Sequence, residues 1–215
     1  MQTSRRVSLG ATCRTGSAEN LLGVRVAIVA ESFLPVVNGV VNSVLRVLEH
    51  LRTTGDDALV IAPAGVKGQG SVHEYAGFPV VHVPALSLPV VNSLPVGVPS
   101  RKVLTVMRDY QPDVVHLASP FVLGGAGVFA ARQLGVPAVA LYQTDVAGFA
   151  TKYHLPMVAN LAWDWTRTIH NMSEMTLAPS SSYIRMLESE DAAEGPRAFA
   201  EKSDPAGGSL TSSDT

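Results

Sequence analysis

The chain has 215 residues, 47% hydrophobic and 16% charged, with a formal net charge of −2. That is enough for one sizeable core, and the charge balance gives no global basic character to recruit nucleic acid. The single cysteine, Cys13, excludes an internal disulfide and a cysteine-based metal site, and it fits a reducing, cytosolic compartment.

Residues 1–23 are rich in Ser, Thr, Gly and Arg without periodicity and are expected to be a disordered extension. They carry Arg5, Arg6 and Arg14 but no apolar core of a secretory signal. From Val24 the pattern alternates. "VRVAIVA" is a continuous β-branched run, as a strand buried on both faces requires. After Asn38, the residues Val40, Val41, Val44, Leu45, Leu48 and Leu51 share one face, which predicts an amphipathic helix closed by Gly55. "ALVIAP" predicts a second strand and "PVVHVPAL" a third. A helix over roughly 100–110 precedes "PDVVHLASP", the fourth strand. "FVLGGAGVFAARQLG" predicts a helix whose small residues suit close packing on a sheet. "VPAVALYQTD" is a fifth strand, Leu155 to Met172 a long amphipathic helix, and "EMTLAPS" a short sixth strand. The alternation predicts an α/β fold, a doubly wound parallel sheet with right-handed crossovers, over residues 24–180. Residues 181–215 change to Ser, Ala, Gly and acidic residues. They are expected to be a disordered tail, apart from a short helix near Tyr183–Glu190. No apolar run reaches the ~18 residues of a membrane span.

Ligands of open α/β sheets bind beyond the carboxyl ends of the strands. Three loops lie there: 31–39, 118–125 and 142–149. In the first, Asn38 is placed to cap the helix, and Gly39 lets a ligand approach the backbone. The helix start favours phosphate, but capping with no ligand explains the same residues. In the third, Asp145 follows an apolar strand directly. It suits sugar hydroxyls or a base role, or simply a turn. Gln143 and Thr144 add neutral donors and acceptors, and Tyr153 and His154 are candidates for the same crevice. His82 and His116 read as packed strand residues. No His/Asp/Glu cluster has metal-ligand spacing, and no G-x-S-x-G elbow appears.

Together, "RVAIVAESFLPVVNGVVNSVLRVLEHL", "PDVVHLASPFVLGGAGVFAARQLGVPAVALYQTD" and "TLAPS" resemble the N-terminal half of a GT-B glycosyltransferase of family 4. The resemblance is to the actinobacterial GDP-mannose-dependent α-mannosyltransferases acting on glycolipid or phosphatidylinositol-type acceptors. It implies a Rossmann-like, acceptor-side domain facing a second domain that holds the sugar nucleotide. It implies that Asn38 and Gly39 approach the donor diphosphate. It also implies that Asp145, with Gln143, Thr144 and Tyr153, lies near the transferred sugar and acceptor hydroxyl. Transfer would retain anomeric configuration, with no bound metal or other cofactor and with GDP-mannose as substrate.

The resemblance also implies a donor domain with a basic pair and a Glu-x7-Glu motif. No two glutamates here have that spacing, and residues after 180 do not resemble such a domain. A truncated or frameshifted chain, inactive alone, is the expectation. The other reading is a stand-alone Rossmann-like module that binds a nucleotide or a lipid head group. Lipid acceptors imply a cytoplasmic protein with peripheral contact at the inner face of the plasma membrane. "RKVLTVMRDY" reads either as an interfacial helix or as a core-facing helix with a basic edge.

Overall fold

The computed structural model describes residues 23–65, 70–87, 95–143 and 156–179. The segments expected to be disordered lie, Gly23 aside, outside them. In chain order the elements are β1 (Arg25–Ala30), α1 (Gly39–Thr54), β2 (Asp57–Pro63), β3 (Glu74–Tyr75), β4 (Phe78–Val83), β5 (Ala85–Ser87), β6 (Pro95–Gly97), α2 (Arg101–Tyr110), β7 (Val114–Ala118), α3 (Val122–Leu134), β8 (Ala138–Leu141), α4 (Pro156–Met172) and β9 (Met175–Leu177).

The main sheet runs β3-β4-β2-β1-β7-β8-β9, with every pairing parallel except β3 with β4. Its parallel strands therefore stand in the spatial order third, second, first, fourth, fifth, sixth, which is the doubly wound Rossmann arrangement. The expected α/β sheet is present. The order reverses between β1 and β7, so the two strands at the switch point end at Ala30 and Ala118, paired in register.

The apolar runs of β1 and β2 bury both faces. Ala27, Val29, Leu59 and Ile61 turn to one side, under α2, α3 and Ile169 of α4. Val26, Ile28, Val60 and Ala62 turn to the other, under Phe33 and under Val44 and Leu48 of α1. Each fully buried aliphatic side chain is worth roughly 1.5–3 kcal/mol of transfer free energy, so these central strands hold the sheet together. Further out the cover thins. Met175 and Leu177 of β9, in register with Val139 and Leu141, stay about half exposed.

Helix α1 is bounded as its sequence predicts. The Asn38 side chain accepts from the Val41 N–H (2.9 Å), and Gly55 at φ 80° turns the chain out of the helix while its N–H donates to the Leu51 carbonyl. α2 buries Val103 and Met107 in the core and leaves Arg101, Lys102 and Arg108 exposed, so its apolar side is spent on the sheet. "PVVHVPAL" is broken at Pro84: β4 stays in the main sheet, while β5 pairs with β6 in a separate two-stranded ribbon. His82 packs as expected, with its ring nitrogens 3.0 and 2.9 Å from the carbonyls of Pro63 and Val72.

Candidate functional site

The loops after β1 and β7 meet at the switch point, and Glu31 joins them. It is the first residue beyond β1. Its Oε1 accepts from the Phe121 N–H (2.7 Å) and the Gly124 N–H (2.8 Å), and its Oε2 from the Leu123 N–H (3.1 Å). These amides open α3, which has no capping side chain of its own. Helix starts leave such donors unpaired and favour negative charge, so the distant carboxylate fills the role of a cap. Burial pushes the Glu31 carboxyl above its ordinary value, and the three N–H bonds pull it back. The approach to α3 is tight. Ser119 sits in the left-handed region (φ 53°), and its N–H donates to the Leu141 carbonyl (3.1 Å).

Asn38 performs the expected capping and makes a second bond: its Nδ2 donates to the Ser32 hydroxyl (3.0 Å). Gly39, the first residue of α1, is exposed, and a Cβ built there would meet no atom within 4 Å. Space for a ligand at that turn therefore exists. The third loop reaches the same helix. Gln143, exposed just beyond β8, donates from Nε2 to the Ser43 hydroxyl (3.0 Å) in the first turns of α1. The first loop and Gln143 thus meet at the start of α1, with the start of α3 tied alongside through Glu31.

Of the residues singled out from the sequence, Asn38, Gly39 and Gln143 come together here. Thr144, Asp145, Tyr153 and His154 lie outside the described residues. Among the described residues, no group of three His, Cys, Asp or Glu side chains is placed to hold a metal ion. No helix among them is long and apolar enough to cross a membrane. Glu31 is not among the candidates that the sequence singles out. The signal that points to it is negative: "SPFVLGG" starts a helix with no Ser, Thr, Asp or Asn at the cap position, so its amides need an acceptor from elsewhere.

Asn38→Ala removes both side-chain bonds. It should lower stability by about 1 kcal/mol, read as a fall of about 2–4 °C in a thermal melt.

The family model described as Glycosyltransferase Family 4 matches residues 37–194. A GDP-mannose-dependent alpha-mannosyltransferase of Corynebacterium glutamicum is 60% identical over 164 residues, covering 76% of this chain and 40% of the relative. A protein of the same name from Mycobacterium tuberculosis is 55% identical over 168 residues, covering 78% of this chain and 44% of the relative. An alpha-monoglucosyldiacylglycerol synthase of Acholeplasma laidlawii is 26% identical over 175 residues, covering 76% of this chain and 43% of the relative. The chain thus spans less than half the length of the curated relatives it matches.

Proposed function

The chain belongs to Glycosyltransferase Family 4, and from that membership we propose that it is the acceptor-side half of a GDP-mannose-dependent α-mannosyltransferase. The observation that carries this reading is the 60% identity to a relative of that name. The acceptor is a glycolipid or a phosphatidylinositol-type lipid, reached from the cytoplasm at the inner face of the plasma membrane. Transfer proceeds with retention. The groups that hold the guanosine lie in the other half of such an enzyme, and the acceptor-side half does not turn over by itself.

In this reading the start of α1 faces the donor diphosphate. A departing nucleoside diphosphate accumulates negative charge, and aligned N–H groups in a fixed geometry stabilise that charge without reorganising. The open space at Gly39 leaves room for phosphate oxygens against the backbone. Asn38 holds the first turn in shape from below. Gln143 is anchored to Ser43 at the same helix, and Thr144 and Asp145 follow it directly in the chain. We assign Asp145 to the transferred sugar and the acceptor hydroxyl, with Gln143, Thr144 and Tyr153 as sugar or acceptor contacts.

The test is an amide-resolved NMR titration of the purified chain with GDP-mannose, with GDP as control. One-sided contact predicts a dissociation constant on the order of 1 mM, with shifts centred on residues 38–41. Gly39→Val should keep the fold, because a Cβ at 39 meets nothing, and should weaken binding about tenfold by filling the space left for phosphate. Shifts absent from residues 38–41, or unchanged by Gly39→Val, would remove the basis for this assignment. Mannose transfer by the isolated chain would refute its dependence on a second half.

A further inference from the structure

We propose that Glu31 is the positioning residue of the crevice: its carboxylate occupies the start of α3 as an internal anion and, through Ser32 and Asn38, sets the start of α1. The functional weight of this proposal rests on the role given above to Asn38 and Gly39.

Glu31 binds like a ligand. Both oxygens are used, by three backbone N–H groups that lie 90, 92 and 93 residues further along the chain. The turn that presents these amides is closely packed: a Cβ at Gly124 would lie 2.2 Å from Cβ of Pro120 and in ordinary contact, 3.4 Å, with Oε1. Because the carboxylate fills these donors, the α3 start is closed to external anions, although it lies at the switch point where such folds receive them. At the start of α1 the Asn38 side chain takes the Val41 N–H, and Gly39 beside it is exposed.

The same residue reaches α1. Glu31 is fixed against α3, and its neighbour Ser32 accepts from Asn38 Nδ2 at 3.0 Å. Asn38 Oδ1 then holds the Val41 N–H at 2.9 Å. One carboxylate, one hydroxyl and one amide therefore link the first turns of the two helices. A cap for α1 alone needs only Asn38 Oδ1, and a cap for α3 alone needs no bond between Ser32 and Asn38. The full set makes the geometry of residues 39–41 depend on where Glu31 sits.

The experiment compares the full chain with Glu31→Ala and Glu31→Gln, all labelled with 15N, with no nucleotide present. Glu31→Ala should displace the amide signals of residues 39–41 as well as 121–124. Sodium formate, a free carboxylate small enough for the vacated space, should return both sets toward wild type, while sodium chloride at equal ionic strength should not. Glu31→Gln keeps the side chain's length and one carbonyl oxygen, and should give a smaller displacement of both sets. It carries the same readout if the alanine variant fails to fold. With GDP added, Glu31→Ala should bind about fivefold more weakly, with formate restoring the affinity. The proposal is overturned if either folded variant moves residues 121–124 and leaves 39–41 at their wild-type positions. It is equally overturned if formate restores the first set without the second. A wild type that gives no GDP response defeats the phosphate role of Asn38 and Gly39, while the nucleotide-free readout still decides the role of Glu31.

Discussion

A single methyl group added at Gly125 should destabilise the chain by about 2–3 kcal/mol. Helix propensity predicts the opposite sign: glycine inside a helix is worse than alanine by about 1 kcal/mol, so Gly125→Ala on an exposed face would stabilise. The packing decides otherwise. A Cβ at 125 would lie 2.4 Å from Cζ2 of Trp165, a distance that real Cβ atoms do not reach. Two contacts hold the indole in place. Its Nε1 donates to the Phe121 carbonyl at 2.9 Å, and Phe129 stacks on it with centroids 6.4 Å apart. Moving the ring breaks a half-buried hydrogen bond at the residue whose own N–H holds Glu31; leaving it fixed forces α3 and α4 apart. The melting temperature should fall by roughly 5–10 °C. Trp165→Leu should relieve the clash, so a double-mutant cycle between the two positions should show coupling of at least 1 kcal/mol. A Gly125→Ala protein as stable as wild type, or more so, would mean that α3 and α4 do not pack as described.

Gly125 and Glu31 mark where the sequence stops being readable, and the reason is sequence distance. β1 is legible because burial on both faces demands an unbroken β-branched run, and "RVAIVA" supplies it within six residues. The ends of α1 are legible because Asn38 and Gly55 act on backbone one turn away. The small residues of α3 announce close packing, and Gly127 fulfils that expectation: a Cβ there would lie 2.9 Å from Leu117 in the sheet. Gly125 answers instead to a tryptophan 40 residues later, and no local pattern names that partner. Glu31 answers to amides 90 residues away, and its neighbours give only an acidic residue after a strand. The ribbon of β5 and β6 is hidden for another reason. Its strands are three residues each, too short for periodicity to register.

Acid should unfold this chain before its carboxylates dominate, and two histidines are the cause. His116 lies in β7 between Ile28 and Val139 of the flanking strands. His170 lies in α4, with Nδ1 3.1 Å from the Thr176 hydroxyl and its ring against Tyr142. Desolvation lowers each from the ordinary value of 6.5 to about 4. Between those values the unfolded chain binds both protons and the native chain binds neither. Stability is therefore complete above about pH 7 and falls as pH drops through 6.5, levelling only near 4. Each group contributes at most about 3 kcal/mol to the fall, and the two together approach the whole stability of an ordinary domain. Glu31 works the other way: its carboxyl is held above the ordinary range, so in its own window the native state takes the extra proton and the fall is partly offset. Urea denaturation at pH 7.5, 6.5, 5.5 and 4.5 should show the midpoint dropping steadily. His116→Gln and His170→Gln each remove one titrating group, so each should flatten that slope by about one proton. A midpoint that holds constant from pH 7.5 to 4.5 would mean that neither imidazole is kept neutral by the fold. A slope unchanged in one variant would clear that histidine and leave the fall to the other.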